Sequence, residues 1–367
     1  MGDTYPRFKV AAVQAAPVLF DREKTVDRAA RLIEEAADKG AVIIGFPELF
    51  ISGHPGGWYY AKKTNPLPAQ GKMFIELVKN AVQVPSPATD RLCAAAKKAH
   101  AFIVMGVSEA DPLFPGTLYM SQIFISEKGE IMGVHRKLVT TNIEKLIYTA
   151  GDGSYLNVYD TPYGKLSALN CGEHAHSLYK YALLAMGTQI HVASWPSFPK
   201  WSSHPSDRSV KAQADSVAFR VRQFAHEGKI FVINSCAIID EQNIAFCSDT
   251  EEGKASLVPN SGGGSAIIGP GGEYLAGPLN EGQGVLTAEI SLEDALPGKQ
   301  THNVLGHYTR WDVLSLNFNR ERLSPFKEIS SRERDCLSVS SELDKIRKEI
   351  SEITKKLDAL AGGREIE

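Results

Sequence analysis

The feature that most limits how this chain can fold is a repeated alternation along its first 325 residues. Short runs rich in Val and Ile are separated by amphipathic stretches. The runs include FKVAAVQAA, AVIIGFPE, AFIVMGVSE, KLSALNC, TQIHVASW, KIFVINSCAIID and GVLTAEISL. Each is bounded by Gly, Pro or polar residues, as strands are. Two longer runs, QIFISEKGEIMGVHRK and GSAIIGPGGEYLAG, turn at Lys128-Gly129 and Gly271-Gly272 and read as hairpins. Helical periodicity covers 22–38, 87–99, about 174–186 and 207–226; in the first, Val26, Ala29, Ala30 and Ile33 share a face. Strands and helices in turn, with hairpins among them, imply a layered α/β domain with a mixed sheet. About nine or ten strands exceed a comfortable single sheet, so two packed sheets are expected.

The tail differs. Leu343, Ile350 and Leu357 fall at heptad position a, and Val339, Ile346, Ile353 and Leu360 at d, with polar residues between. More than three heptads with so narrow a seam predict a coiled coil; the competing reading is an amphipathic helix docked on its own domain. Leu at a with Ile at d favours an assembly above a parallel dimer, and Glu342 at g faces Arg347 at e of a parallel neighbour. The expected organisation is therefore a domain over 1–325, a linker over 326–335, a coiled-coil helix over 336–361 and a disordered tail over 362–367.

Composition narrows the partners. The net charge is -3, the pI is about 6.4, and no basic stripe with interleaved aromatics occurs, which argues against nucleic acid. No apolar run reaches membrane-spanning length. The N-terminus lacks a signal-peptide core, and Pro6 stands where a myristoylation signal needs Ser or Thr. Five widely spaced cysteines point to reduced thiols in a cytoplasmic setting.

One cysteine stands apart. Cys171 follows the strand-like KLSALN and precedes a helical pattern, where backbone N–H groups favour a thiolate. Cys93, Cys236 and Cys247 read as small core residues. Cys171, His174 and His176 form a metal-like spacing, but 176 leaves the face shared by 171 and 174. Glu48 closes AVIIGFPE and Lys137 closes EIMGVHRK. Charges at the ends of buried strands are costly unless paired, and a Lys beside a carboxylate keeps its proton.

The segments FPELF, HRKL and NCGEH, in this order and spacing, closely resemble the nitrilase (carbon–nitrogen hydrolase) superfamily. The resemblance runs from about Phe8 to Asn319 and includes VAAVQAAPV, FISGHPGGWYY, YTAGDG, VASWPSF and GGGSAIIGPGGEYLAGP. It implies catalytic roles for Glu48, Lys137 and Cys171, with Glu144 matching the superfamily's second glutamate. Val139, Thr140, Lys145 and Tyr148 depart from the usual text of that loop, which shapes the substrate site. Cys171-Gly172-Glu173-His174 and GHYTRWD, with His307, are similar to the nitrile-hydrolysing branch. An amidase of the same superfamily is the alternative, and a non-catalytic oligomeric interaction protein a second one.

The implied fold is a four-layer-forming α-β-β-α sandwich that dimerises and assembles further into a homo-oligomer or spiral. The implied chemistry is attack by Cys171 on a nitrile, through a thioimidate and a thioester, to a carboxylic acid and ammonia. Glu48 is the general base, Lys137 the electrostatic stabiliser, and Glu144 orients substrate or water. No metal or organic cofactor is required. Trp58, Tyr59, His174, Trp195 and Pro196 are candidate substrate contacts, and Tyr60 and Phe198 add to an aromatic wall that hints at an aromatic or arylaliphatic nitrile. His135 and His174 also fit as supporting groups behind the site. The glycines of NSGGGSAIIGPGG lack the Lys-Ser/Thr of a phosphate loop and read as hairpin turns.

Overall fold

The computed structural model describes residues 4–54, 66–197, 207–247, 250–255, 257–326 and 339–361. The chain divides into two units, Met1–Glu321 and Arg322–Glu367. In the first unit, thirteen strands among the described residues, numbered in chain order, form two sheets. One runs β13 (Gly284–Ile290), β1 (Phe8–Gln14), β2 (Ala41–Gly45), β3 (Phe102–Ala110), β4 (Leu118–Ile125), β5 (Ile131–Arg136), with the short β6 (Tyr148–Thr149) also on β4. The other runs β12 (Tyr274–Leu279), β11 (Ser265–Ile268), β10 (Phe231–Cys236), β9 (Ile190–Trp195), β8 (Gly164–Asn170), β7 (Tyr159–Thr161). Each has a parallel centre and antiparallel edges: β1, β2 and β3 are parallel, as are β8, β9 and β10. Parallel strands are covered on both faces, which explains the unbroken apolar runs in the sequence.

Five helices position these sheets: α1 (Arg22–Asp38), α2 (Pro66–Asn80), α3 (Pro87–Ala99), α4 (Ser177–Ala185) and α5 (Asp207–Gly228). Asp21 starts α1 by accepting the Lys24 N–H, and Pro87 opens α3, where its missing N–H costs nothing. Val26, Ala29, Ile33 and Ala36 of α1 pack with Leu92 and Ala96 of α3 on the outer face of the first sheet. Val10, Ile43 and Phe124 meet Leu166, Val192 and Ile233 between the sheets. Val217, Val221 and Phe224 of α5 cover the outer face of the second sheet. The layers are thus α-β-β-α, as expected.

Several details differ from expectation. Helix α2 and strands β6 and β7 were not anticipated. Ala30 is only partly buried, and Ala36 completes the α1 stripe instead. The helix expected from about 174 begins at Ser177, because Cys171–Ala175 winds as a tighter 3-10 turn.

In the second unit the described structure is one helix, Val339–Ala361. Leu343, Ile346, Ile350, Ile353 and Leu357 along it are each 48–60% exposed. Most of the expected linker and the whole of 362–367 lie outside the described residues. Among the described residues, no helix is long and apolar enough to cross a membrane.

Candidate active site

The C-terminal ends of the strands place the charged residues together, the usual location of sites in parallel sheets. Glu48 lies three residues beyond β2, Lys137 directly follows β5, and Cys171 directly follows β8. Polar stitches hold the two sheets together there. Ser235 Oγ donates to the Gly45 carbonyl at 2.9 Å, Ser194 Oγ to Phe46 O at 2.7 Å, and the Glu48 N–H to Trp195 O at 3.3 Å. Gly106 on β3 permits the turn that carries Glu48: a Cβ there would sit 2.0 Å from Pro47 O.

Lys137 is the hub. Its Nζ donates to Glu48 Oε1 at 2.7 Å and to Glu144 Oε2 at 2.8 Å, and its side chain is wholly buried. Two of the three ammonium donors are so engaged. Glu144 also accepts the Thr141 N–H at 2.6 Å, and its Oε1 lies 3.2 Å from His54 Nε2. Glu48 Oε2 is buried with no hydrogen-bond partner among the described residues, an acceptor left open in a dry place.

Two carboxylates around one ammonium leave an excess negative charge, and the surroundings divide it unequally. Burial pushes the Glu48 carboxyl up to about 7, with Lys137 pulling against it and Glu144 adding to the rise. Glu144 is also buried, but His54 and Lys137 bring it down to about 2. Burial would strip the proton from Lys137, yet the carboxylates of Glu48 and Glu144 keep it charged. Burial, then the Glu48 charge, hold the Cys171 thiol well above its ordinary value. The strand-to-helix junction therefore does not outweigh burial, and activation of the thiol falls to a base, as the sequence reading required. The junction is a five-residue 3-10 turn, too short to supply a strong helix end. The thiol keeps its proton until a base removes it.

Cys171 has φ of 43°, a left-handed conformation that is strained for a residue with a Cβ. The turn that holds it is stapled to Lys137's strand by Glu173. Its Oε2 accepts the Asn170 N–H at 2.8 Å and lies 2.9 Å from His135 Nε2; its Oε1 accepts the Leu138 N–H at 2.8 Å. His135 Nδ1 is 3.1 Å from the Tyr155 carbonyl. Both partners of His135 only accept, so both ring nitrogens donate and the ring is an imidazolium. Burial alone would deprotonate His135, but the Glu173 carboxylate raises its pKa above the ordinary value. Gly172 lets the Thr141 loop close in: a Cβ there would meet Thr141 Oγ1 at 3.0 Å.

The structure thus brings Glu48 and Glu144 onto Lys137, and the Cys171 thiol feels the charges of all three. The candidate contacts fare differently. Trp58 and Tyr59, with Tyr60 and Phe198, lie outside the described residues. His174 corrects the expectation of a substrate contact. Both its ring nitrogens are used inside the protein, on the Cys171 carbonyl at 2.9 Å and on His191 at 3.0 Å. The same bonds dissolve the Cys171–His174–His176 metal reading, and His176 is exposed. Trp195 is buried and stacked on His174, with centroids 5.1 Å apart, so it backs the nucleophile turn. Pro196 is buried just after it.

His54 is the residue that sequence reasoning missed. It sits inside the quoted FISGHPGGWYY, but nothing in the sequence tied it to Glu144. Glu48, His54 and Glu144 offer three ligand atoms within 4.8 Å of one another. The Lys137 ammonium, bonded to both carboxylates, already supplies the cation there, and that donor set does not fit a metal as well.

Comparison with known proteins gives the family and the fold. The family profile described as Carbon-nitrogen hydrolase matches residues 9–300. An aliphatic nitrilase of Rhodococcus rhodochrous is 41% identical over 320 residues, covering 87% of this chain and 84% of that protein. A nitrilase of Bacillus sp. (strain OxB-1) is 35% identical over 337 residues, covering 91% and 94%. The crystal structure of a carbon–nitrogen hydrolase from Helicobacter pylori G27 has the same fold, with a TM-score of 0.61 at 20% identity over 80% of this chain and 92% of that one.

Proposed function

This chain belongs to the carbon–nitrogen hydrolase family, and from that premise we propose that it hydrolyses an organic nitrile to the carboxylic acid and ammonia through a covalent bond to Cys171. The observation that carries the reading is the buried Glu48–Lys137–Glu144 cluster beside a thiol that keeps its own proton.

Glu48 Oε2, the open acceptor, takes the Cys171 proton as sulfur attacks the nitrile carbon. The third N–H of Lys137 stabilises the negative charge that develops on nitrogen. Glu48 returns the proton to that nitrogen, giving a neutral thioimidate. Glu48 then takes a proton from the first water as its oxygen adds to the carbon. Protonation of nitrogen expels ammonia and leaves a thioester. A second water, activated the same way, releases the acid and restores the thiol. Two waters are consumed and one ammonia leaves. Expulsion of the thiol from the first water adduct would give the amide instead. Glu144 keeps Lys137 charged and aimed. Relatives bearing nitrilase names at 35–41% identity favour a nitrile over an amide.

The exposed seam of the helix Val339–Ala361 supports a second association mode, a coiled coil between copies within a homo-oligomer. The five dispersed cysteines suit a reducing compartment such as the cytoplasm.

The test is ammonia release from a panel of aliphatic, aromatic and arylaliphatic nitriles and their amides. Release from nitriles that disappears in Cys171→Ala supports the proposal. Release from amides alone would move the protein to amide hydrolysis.

A further inference from the structure

We propose that Ser167 and His191 are positioning residues: with His174 they form a one-way hydrogen-bond chain that fixes the carbonyl of Cys171 and so aims its thiol. The proposal rests on Cys171 being the nucleophile. Neither Ser167 nor His191 has a part in the chemistry described above.

The chain begins in the sheet. Parallel register sets Ser167 on β8 beside His191 on β9. Their neighbours Leu166, Ala168, Ile190 and Val192 fill the layer between the sheets, so alternation turns Ser167 and His191 to the α5 side. His191 meets Phe224 of α5 edge-on, with centroids 4.9 Å apart. Ser167 Oγ lies 2.8 Å from His191 Nδ1, His191 Nε2 lies 3.0 Å from His174 Nε2, and His174 Nδ1 lies 2.9 Å from Cys171 O. Ser167, His174 and His191 have no exposed surface.

One end dictates the rest. A carbonyl only accepts, so His174 Nδ1 carries the proton and its Nε2 offers a lone pair. His191 must therefore donate from Nε2, which leaves its Nδ1 as an acceptor. Ser167 must then donate its hydroxyl proton. With neutral rings, no other arrangement makes all three bonds. Burial favours the neutral form of both rings, pushing His174 down to about 4 and His191 well below its ordinary value. The chain ends on the one residue of the nucleophile turn whose backbone is strained. Strained conformations persist only where the surroundings over-determine them. The Cys171 carbonyl thus sets both tautomers, and the Ser167 hydroxyl holds them by satisfying the His191 Nδ1 that this arrangement leaves as a buried acceptor.

The test uses the full-length protein with Ser167→Ala, Ser167→Thr and His191→Phe. Nitrogen-15 spectra of histidine-labelled wild type should show His174 as the Nδ1–H and His191 as the Nε2–H tautomer. In Ser167→Ala, kcat should fall about tenfold, as expected if the loss of the buried Ser167–His191 hydrogen bond is passed in full along the chain to Cys171, with KM changed by less than about twofold. Alkylation of Cys171 by iodoacetamide should slow in parallel, and Ser167→Thr should restore both rates. His191→Phe, if it folds, should match Ser167→Ala. A Ser167→Ala variant that loses only thermal stability while keeping kcat and alkylation rate would overturn the proposal, as would the opposite tautomer or an imidazolium at His191. If wild type turns over no nitrile, the functional reading fails, but the alkylation rates and tautomers still decide this inference.

Discussion

At the scale of single residues, the site works by pushing two carboxylates apart. Glu48 and Glu144 contact the same ammonium, yet one sits at about 7 and the other at about 2. A base poised near neutrality and a permanently charged anchor are what acid–base chemistry at neutral pH needs. Glu48 must be ionised to accept the thiol proton, so kcat/KM should rise with pH on a limb near 7. That apparent value belongs to the coupled cluster. Glu144→Gln removes a like charge beside Glu48, so the limb should move to lower pH even as kcat falls. A pH–rate profile with the limb unmoved or displaced upward contradicts this account. The raised value has a cost in stability. Between 4.5 and about 7 the folded state binds more protons at Glu48 than the unfolded chain does, so this group destabilises the fold as pH rises through that window. Glu48, Lys137 and Cys171 each end a strand-like run, but their roles were legible only through the family resemblance of FPELF, HRKL and NCGEH. His54, His191 and Ser167 were not, since their partners are chosen by strand register and by a loop that returns from far along the chain.

At the scale of elements, the Glu173 staple decides whether the strand ends converge. It binds the backbone on both sides of the site and pairs with a charged His135. Burial opposes its charge, yet His135 and the two N–H donors hold Glu173 below its ordinary value. Glu173 adds stability above 4.5 and loses it as pH falls below that. His135 adds stability below 6.5 and loses it as pH rises through its elevated folded value. The staple is therefore strongest between those limits. Glu173→Gln leaves a buried imidazolium without its counter-charge and should cost about 3–5 kcal/mol. Denaturant unfolding near pH 6 measures it, and a loss under about 1 kcal/mol would show the pair to be dispensable. Most strands and helices α1 and α3 were readable from periodicity and end signals. Helix α2 was not, because Pro66, Pro68 and Gly71 interrupt its pattern and, among its described side chains, only Met73 and Leu77 are fully buried. Helix α4 was expected to begin about three residues early, because the 3-10 turn Cys171–Ala175 occupies the start of the stretch read as helical.

At the scale of the whole molecule, the two units pose separate questions. The first carries the α-β-β-α layers and the site. The second carries a helix whose apolar seam stays half exposed in a single copy. If copies associate through that seam, deleting residues 328–367 should lower the particle mass by light scattering, and Ile350→Glu should do the same. An unchanged mass in both would remove the helix from assembly. The heptads were plain in the sequence, but a repeat specifies a partner's pattern without saying which chain supplies it. Both units matter less to the central claim than the bond Cys171 is said to form. The most direct measurement is a rapid acid quench with enzyme in excess over a carbon-13-labelled nitrile, followed by peptide mass spectrometry. The account predicts a transient label on the Cys171 peptide that appears before the labelled acid and is absent in Cys171→Ala. Label on a different residue, or nitrile consumption that survives Cys171→Ala, would contradict it.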